Sequence, residues 1–359
     1  MFKFEQLQDI HFEITNRCQA SCPMCSRNYH GGMENPLIEN RDWTVEDFKT
    51  IASDKVLNQV NGFYFCGNFG DPIINDNLIE MIEHAVSVNP KLNIRVHTNG
   101  SARKSEWWER LARALPKRHN VVFAIDGLED THHLYRIGTH YNTIIRNATA
   151  FINAGGHADW CFIKFKHNEH QVEEARLRAT ELGFSFFTEK NSSRFIGEPK
   201  FPVYNKDGNT IYHLEQPSDS EIPYITNDLI VNYKEILKDS EIECYVQQTK
   251  EIYIDAYRKV FPCCFLASAP YNYAKLNDTT APVRKDMLDQ YNTLVNDLGN
   301  TNALERPVEE IINSAAWQTV WKQYWEENKL ITCAKTCGKL KEIPKPKDQF
   351  INIIGLKNG

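Results

Sequence analysis

Two hydrophobic periods take turns along the first half of the chain. Strict apolar–polar alternation marks a half-buried strand, and apolar positions recurring every three to four residues mark one face of a helix. His11-Phe-Glu-Ile-Thr reads as the first strand, and further strands are expected near 61–66, 92–97, 121–125, 160–165 and 184–188. Val121-Val-Phe-Ala-Ile125 is continuously apolar, as in a strand covered on both faces. Thr44 stands where a helix N-cap belongs, with Asp47 at the capping-box position. Leu78, Ile79, Ile82, Ala85 and Val86 make one helical face, ended by Pro90, and Trp107, Trp108 and Leu111 belong to the core side of the next helix. Helical patterns over 142–154 and 173–182 run into Gly155-Gly156 and Gly183. Strand and helix alternating at crossover-sized spacing predict an α/β fold with a parallel sheet. Six such units are fewer than the eight of a closed barrel.

The pattern breaks over 191–243, where Pro199, Pro202, Asp207-Gly208 and Pro217 interrupt any period. Turns are expected there, with a short hairpin about Asp207-Gly208, in either a passive connection or a lid. Two more strand-like runs follow, Glu251-Ile-Tyr-Ile-Asp and Lys259-Val-Phe, with Ala256-Tyr257-Arg258 as the hairpin tip. Trp317, Trp321 and Trp325 recur every four residues and read as a packing stripe. Beyond Pro344-Lys-Pro346 the alternation Phe350-Ile-Asn-Ile-Ile suits an edge strand or a loose tail.

Composition narrows the class. A chain of 359 residues, 42% hydrophobic and 25% charged, is an ordinary globular protein with room for a barrel and a smaller module. The net charge of −6 leaves no footprint for duplex nucleic acid, and no apolar run approaches the length of a membrane helix, so no membrane partner is expected. Met-Phe-Lys-Phe-Glu lacks the layout of a secretion signal, and ten cysteines in such a chain point to metal ligation in a reducing cytoplasm.

The cysteines carry the chemistry. Cys18, Cys22 and Cys25 are spaced C-x3-C-x2-C directly after the first strand, at the end where α/β sheets bind ligands. A cubane iron–sulfur cluster usually takes four thiolates. With no fourth cysteine before Cys66, one iron is left open to an exogenous ligand. A zinc knot completed by His30 or His11 is the alternative, but zinc sites favour other spacings.

The triplet resembles the signature of the radical S-adenosylmethionine (SAM) enzymes. The resemblance implies a partial (β/α)6 barrel over 1–190, a [4Fe-4S] cluster on Cys18, Cys22 and Cys25, and SAM chelating the open iron. Reductive cleavage of SAM by an external one-electron donor would then give a 5′-deoxyadenosyl radical that abstracts hydrogen from a substrate. Met24 stands where the family often has an aromatic residue near the adenine. Gly70-Asp71-Pro72 matches the last three positions of a Gly-Gly-Glu-Pro stretch that binds the SAM ammonium group, with Asp for Glu. Thr98-Asn99-Gly100 ends the third strand where polar groups meet SAM. Asp126-Gly127 through Arg136-Ile-Gly138 resembles a further block, which implies Arg136 as partner of the SAM carboxylate, a surface ion pair being the alternative. His132 and His133 read as solvent-facing or capping residues, and Cys66 as a small buried hydrophobe.

The second cysteine group resembles a twitch domain, a shortened relative of the SPASM domain, over 244–340, with 191–243 before it and a tail over 341–359. That implies one auxiliary [4Fe-4S] cluster on Cys244, Cys263, Cys333 and Cys337. Adjacent strand residues face opposite ways, so one of Cys263 and Cys264 is expected to point at the metal, and the family's Pro-Cys pattern selects Cys263. A zinc ribbon would satisfy the same four cysteines. The substrate implied is a peptide or protein side chain, alternatively a small sugar-like metabolite, with a non-catalytic electron carrier or redox sensor as the rival class.

Overall fold

The computed structural model describes residues 1–192, 194–195, 199–220, 240–273, 282–327, 329–339 and 350–356. Its six leading strands are β1 (Asp9–Phe12), β2 (Gly62–Phe65), β3 (Asn93–Thr98), β4 (Arg118–Ala124), β5 (Ala158–Lys164) and β6 (Phe186–Asn191). They pair in sequence order, all parallel. Helices return the chain between them, including Leu78–Val88, Tyr141–Asn153 and Val172–Glu181. The expected open arc of six βα units is the fold observed. The helix starting at Val45 has the expected capping box, with Asp47 N–H donating to Thr44 Oγ1 at 3.0 Å and Thr44 N–H to Asp47 Oδ2 at 2.9 Å.

Alternation sorts the strand residues into two faces. Phe12, Phe63, Phe65, Ile94, Val96, Val121, Phe123, Trp160 and Phe162 are fully buried beneath the helices. Facing the other way is a polar lumen. The register sets Tyr64 beside His11 and Arg95, and Asn120 beside Arg95. His11 stacks on Tyr64 with ring centroids 4.4 Å apart, and Tyr64 donates to Glu251 at 2.9 Å. Two residues further on, the same ladders bring Glu13, Cys66 and His97 into one row.

Past residue 200 the chain forms an antiparallel hairpin of β7 (Lys200–Tyr204) and β8 (Thr210–Glu215), turning at Gly208 as expected. After β9 (Glu241–Ile242) come β10 (Glu251–Ile254) and β11 (Val260–Phe261). The β10–β11 hairpin does not stand apart from the barrel. β10 pairs parallel with β1, and β11 antiparallel with β10, so both extend the barrel sheet. β12 (Gly338–Lys339) returns to β9, and β13 (Phe350–Gly355) pairs antiparallel with β6 as an edge strand. Tyr224 and the segment 341–349 lie outside the described residues. Among those described, no helix is long and apolar enough to cross a membrane.

Candidate active site at the end of the first strand

The cysteine loop leaves β1 between two anchors. Asn16 is fully buried, donating to Glu39 O at 2.6 Å and accepting from Arg41 N–H at 2.7 Å. Asn75 Nδ2 donates to Ile14 O and Trp43 O, each at 3.0 Å. Within the loop Cys25 N–H closes a turn on Cys22 O at 2.9 Å. Ser21 N–H reaches Ile137 O at 2.8 Å, tying the loop to the segment that carries Arg136.

Donors face the sulfurs. Ala20 N–H lies 3.4 Å from Cys18 Sγ, Asn99 Nδ2 3.6 Å from the same atom, and Arg136 Nη1 3.9 Å from Cys22 Sγ. Burial, with neighbouring Asp71 and Cys22, pushes the Cys18 thiol well up; burial also raises Cys22 to about 11, against the pull of Arg136. Among the described residues no three His, Cys, Asp or Glu side chains gather closely enough to share one metal ion.

Gly70-Asp71-Pro72 and Thr98-Asn99, two separate motifs in the sequence, form one network. The Asp71 carboxylate accepts from Thr98 Oγ1 at 2.8 Å, Asn99 N–H at 2.7 Å and Asn99 Nδ2 at 2.6 Å. Asn99 therefore bridges Asp71 to Cys18 Sγ, while its own carbonyl accepts from Gln19 at 2.7 Å. Burial raises the Asp71 pKa, opposed by those hydrogen bonds. Pro72 opens the short turn that Asp71 caps. A Cβ on Gly70 would lie 2.0 Å from Thr15 O, so glycine is what lets this loop lie against the cysteine loop. Asp71 N–H also donates to Arg17 O at 2.9 Å.

Arg136 is not a surface ion pair. Its Nε–H donates to Asp126 Oδ2 at 2.5 Å, the carboxylate is fully buried, and Ile163 N–H holds the other oxygen at 2.6 Å. His132 is also buried, correcting the expectation of a solvent-facing or capping residue, whereas His133 is exposed. Asp126 N–H donates to His132 Nδ1 at 3.3 Å and Nε2–H to Thr139 Oγ1 at 2.8 Å, and burial lowers its pKa to about 3. Neutral His132 thus braces the Asp126–Arg136 turn. Met24 is buried with Tyr135, Phe165 and Phe195, and its carbonyl accepts from Arg194 at 2.6 Å. The β7–β8 hairpin covers this cluster. Tyr204 N–H donates to His30 O at 2.9 Å, the His30 ring stacks between Phe201 and Tyr204, and Tyr212 donates to Leu134 O at 2.7 Å.

Cys66 is half-buried on the lumen row rather than packed among apolar side chains. Sequence reasoning also missed Glu13. Its signal was an acid at an inward position of the alternating run Ile10 to Ile14, whose other faces are apolar. It is buried, and burial raises its pKa to about 6 against the opposing hydrogen bonds from Tyr253 and from backbone N–H groups of the 68–70 loop.

A second pocket is lined by Cys244, Cys263, Cys333 and Cys337 together with Trp321 and Trp325. The tryptophan stripe packs its helix as expected, with Trp317 and Trp321 buried, and also walls the pocket. Burial, with the neighbouring thiols, raises Cys263 to about 12 and Cys244 to about 11. Cys264 is not among the lining residues. Because β10 is parallel to β1 and β11 turns back, Cys244 and Cys263 lie at the end of the sheet opposite the first triplet. The intervening wall is at least one four-residue strand, on the order of 13 Å.

Residues 12–179 match the family model described as the radical SAM superfamily. Over those residues, a little under half of its length, the chain carries a radical SAM domain. Among solved structures it is similar to Streptococcus suis SuiB bound to S-adenosylmethionine, at 13% identity, with 88% of this chain and 67% of that chain covered and a TM-score of 0.54. SuiB bound to the precursor peptide SuiA matches at 14% identity over 88% and 66%, with the same TM-score of 0.54. A hexahistidine-tagged anSMEcpe with bound AdoMet matches at 13% identity over 92% of this chain and 85% of that one, with a TM-score of 0.52. At these identities the likeness is one of fold. No curated protein matches the chain.

Proposed function

We propose that Cys18, Cys22 and Cys25 hold the SAM-binding cluster, that Cys244, Cys263, Cys333 and Cys337 hold an auxiliary cluster in a twitch-like region, and that the enzyme oxidises a peptide or protein side chain. The observation that carries this reading is the Asn99 bridge, which brings the Gly70–Asp71 loop and the first thiol into one hydrogen-bonded unit. The donor set suits the first cluster: three thiols, with amide and guanidinium N–H groups aimed at the sulfurs of Cys18 and Cys22. Four thiols lining one pocket suit a fully ligated second cluster.

When bound, the reduced cluster and SAM supply a 5′-deoxyadenosyl radical able to abstract hydrogen from a substrate C–H bond. The protein places and shields that chemistry. The Asp71–Asn99 pair fixes the ammonium-side loop, and Arg136, oriented by buried Asp126, presents its fork toward the SAM carboxylate. Met24, under the β7–β8 hairpin, supplies an apolar surface near the adenine. The substrate would enter the polar lumen between the two cysteine groups, and Cys244, Cys263, Cys333 and Cys337, at the far end of the β1–β10 wall, would hold a group able to store one electron. The peptide-bound neighbours SuiB and anSMEcpe favour a peptide over a small metabolite. An external one-electron reductant is required, and a cytoplasmic setting fits such clusters.

Anaerobic reconstitution followed by dithionite and SAM tests the reading. Formation of 5′-deoxyadenosine is expected, and its absence from protein that has taken up iron would leave only an electron carrier.

A further inference from the structure

One buried acid joins the two halves of this architecture. Glu13 lies one residue beyond β1, is 1% exposed, and divides its carboxylate between two neighbours. Its Oε1 accepts from Phe69 N–H at 2.8 Å and Gly70 N–H at 3.2 Å, the backbone of the loop assigned above to the SAM ammonium group. Its Oε2 accepts from the hydroxyl of Tyr253, on β10. The same hydroxyl accepts from Asn68 Nδ2 at 3.2 Å, whose amide also donates to Cys264 O at 3.0 Å, next to the second cysteine pocket. From Gly70 the chain of contacts continues through Asp71 and Asn99 to Cys18 Sγ. The bonds from Phe69 and Tyr253 to Glu13 and from Asn99 to Asp71 are buried, where an unmade bond is expensive.

We propose that Glu13 and Tyr253 are positioning residues for SAM: together they hold the 67–72 loop in its binding shape and brace it on the hairpin that carries Cys263. Neither touches the cofactor or the substrate. This rests on the assignment of that loop to SAM. Gly70 admits no side chain against Thr15 O, and the backbone N–H groups of Phe69 and Gly70, turned inward there, need an acceptor. Glu13 supplies the acceptor, and Tyr253 fixes which way the carboxylate faces. Glutamine at position 13 can do the same, its carbonyl oxygen accepting from the loop and its amide donating to Tyr253. Alanine can do neither.

The test measures SAM affinity on anaerobically reconstituted protein, by the change in the electron paramagnetic resonance spectrum of the reduced cluster as SAM is added. Y253F is expected to weaken SAM about tenfold, the scale of losing one hydrogen bond to a charged group, with iron content and the SAM-free spectrum unchanged. E13A is expected to weaken it further, and E13Q to recover most of that loss. Should E13A fail to fold, Y253F and E13Q decide alone. Unchanged SAM affinity in Y253F with normal iron content overturns the proposal. So does an E13Q protein weakened by more than Y253F, which would make the negative charge the active property. Wild-type protein that takes up iron yet shows no SAM-dependent spectral change sinks the assignment of the loop itself, and this inference with it.

Discussion

The two cysteine groups are built to opposite plans. Around Cys18, Cys22 and Cys25 the protein supplies polar contacts: an asparagine amide, a backbone N–H, a guanidinium neutralised by a buried aspartate, and an open lumen beneath. Around Cys244, Cys263, Cys333 and Cys337 it supplies tryptophan, leucine and proline walls, with backbone N–H groups of Val246 and Gln247 on Cys244 and of Phe265 and Leu266 on Cys263, and no charged side chain among the lining residues. Three thiols beside charged side chains suit a site that must bind and release a charged ligand. Four thiols behind aromatic walls suit a site that is filled once and then sealed. The difference separates chemistry from electron storage, on the proposed reading.

Removing the first group should have the largest effect. Substituting Cys18, Cys22 and Cys25 together by alanine is expected to abolish formation of 5′-deoxyadenosine and to remove about four irons while about four remain. Iron and sulfide analysis beside the wild type checks this. Loss of all iron would mean that the two sites do not load independently.

Next is the buried pair beneath the first group. Arg136→Ala leaves the fully buried Asp126 carboxylate without its partner, which costs about 3–5 kcal/mol in comparable pairs. Arg136→Lys keeps the charge but not the fork that reaches Asp126 and Cys22 at once. The lysine variant is expected to fold and to raise the KM for SAM about tenfold. An unchanged KM would put Arg136 among structural residues. Nothing of this kind is expected at the second pocket, where no such ion pair lines the wall among the described residues.

Much of this was legible in the sequence, and the boundary is physical. Six strands, their helices and the β10–β11 hairpin could be read because each writes its own local period. The pairing of β10 with β1 could not, since it joins residues more than 240 positions apart and leaves no local trace. The same holds for Asp71 with Asn99 and Glu13 with Tyr253, each a contact between different βα units. His132 was misjudged because a four-residue helix gives too little pattern to tell its buried side. The Cys263-or-Cys264 choice rested on a pattern; in the structure Cys263 alone of the pair lines the pocket.

That placement sets a sharper contrast between neighbours. Cys263→Ala is expected to lose the second complement of iron while reduced protein still cleaves SAM, because the first group lies at the other end of the sheet. Product formation from the substrate should then fall well below SAM consumption. Cys264→Ala should retain both complements, since its carbonyl, which accepts from Asn68, survives the substitution. Equal iron loss in both variants would break the assignment.

The smallest expected effect probes the roof that only the first group has. The β7–β8 hairpin packs Val203 and Leu214 on the cluster containing Met24 and Tyr135, and one side-chain hydroxyl, that of Tyr212, pins it to Leu134 O. Leu134 sits two residues before Arg136, so the pin steadies the turn that presents the guanidinium. Tyr212→Phe removes one hydrogen bond and leaves the ring in place, a loss of about 1 kcal/mol. If the hairpin only fills space, thermal stability falls slightly and SAM binding is untouched. If it closes the adenine side of the site, KM for SAM should rise by ~2- to 3-fold, out of proportion to the stability change. The iron held in the second pocket should not change in either case, because the hairpin contributes nothing to that wall.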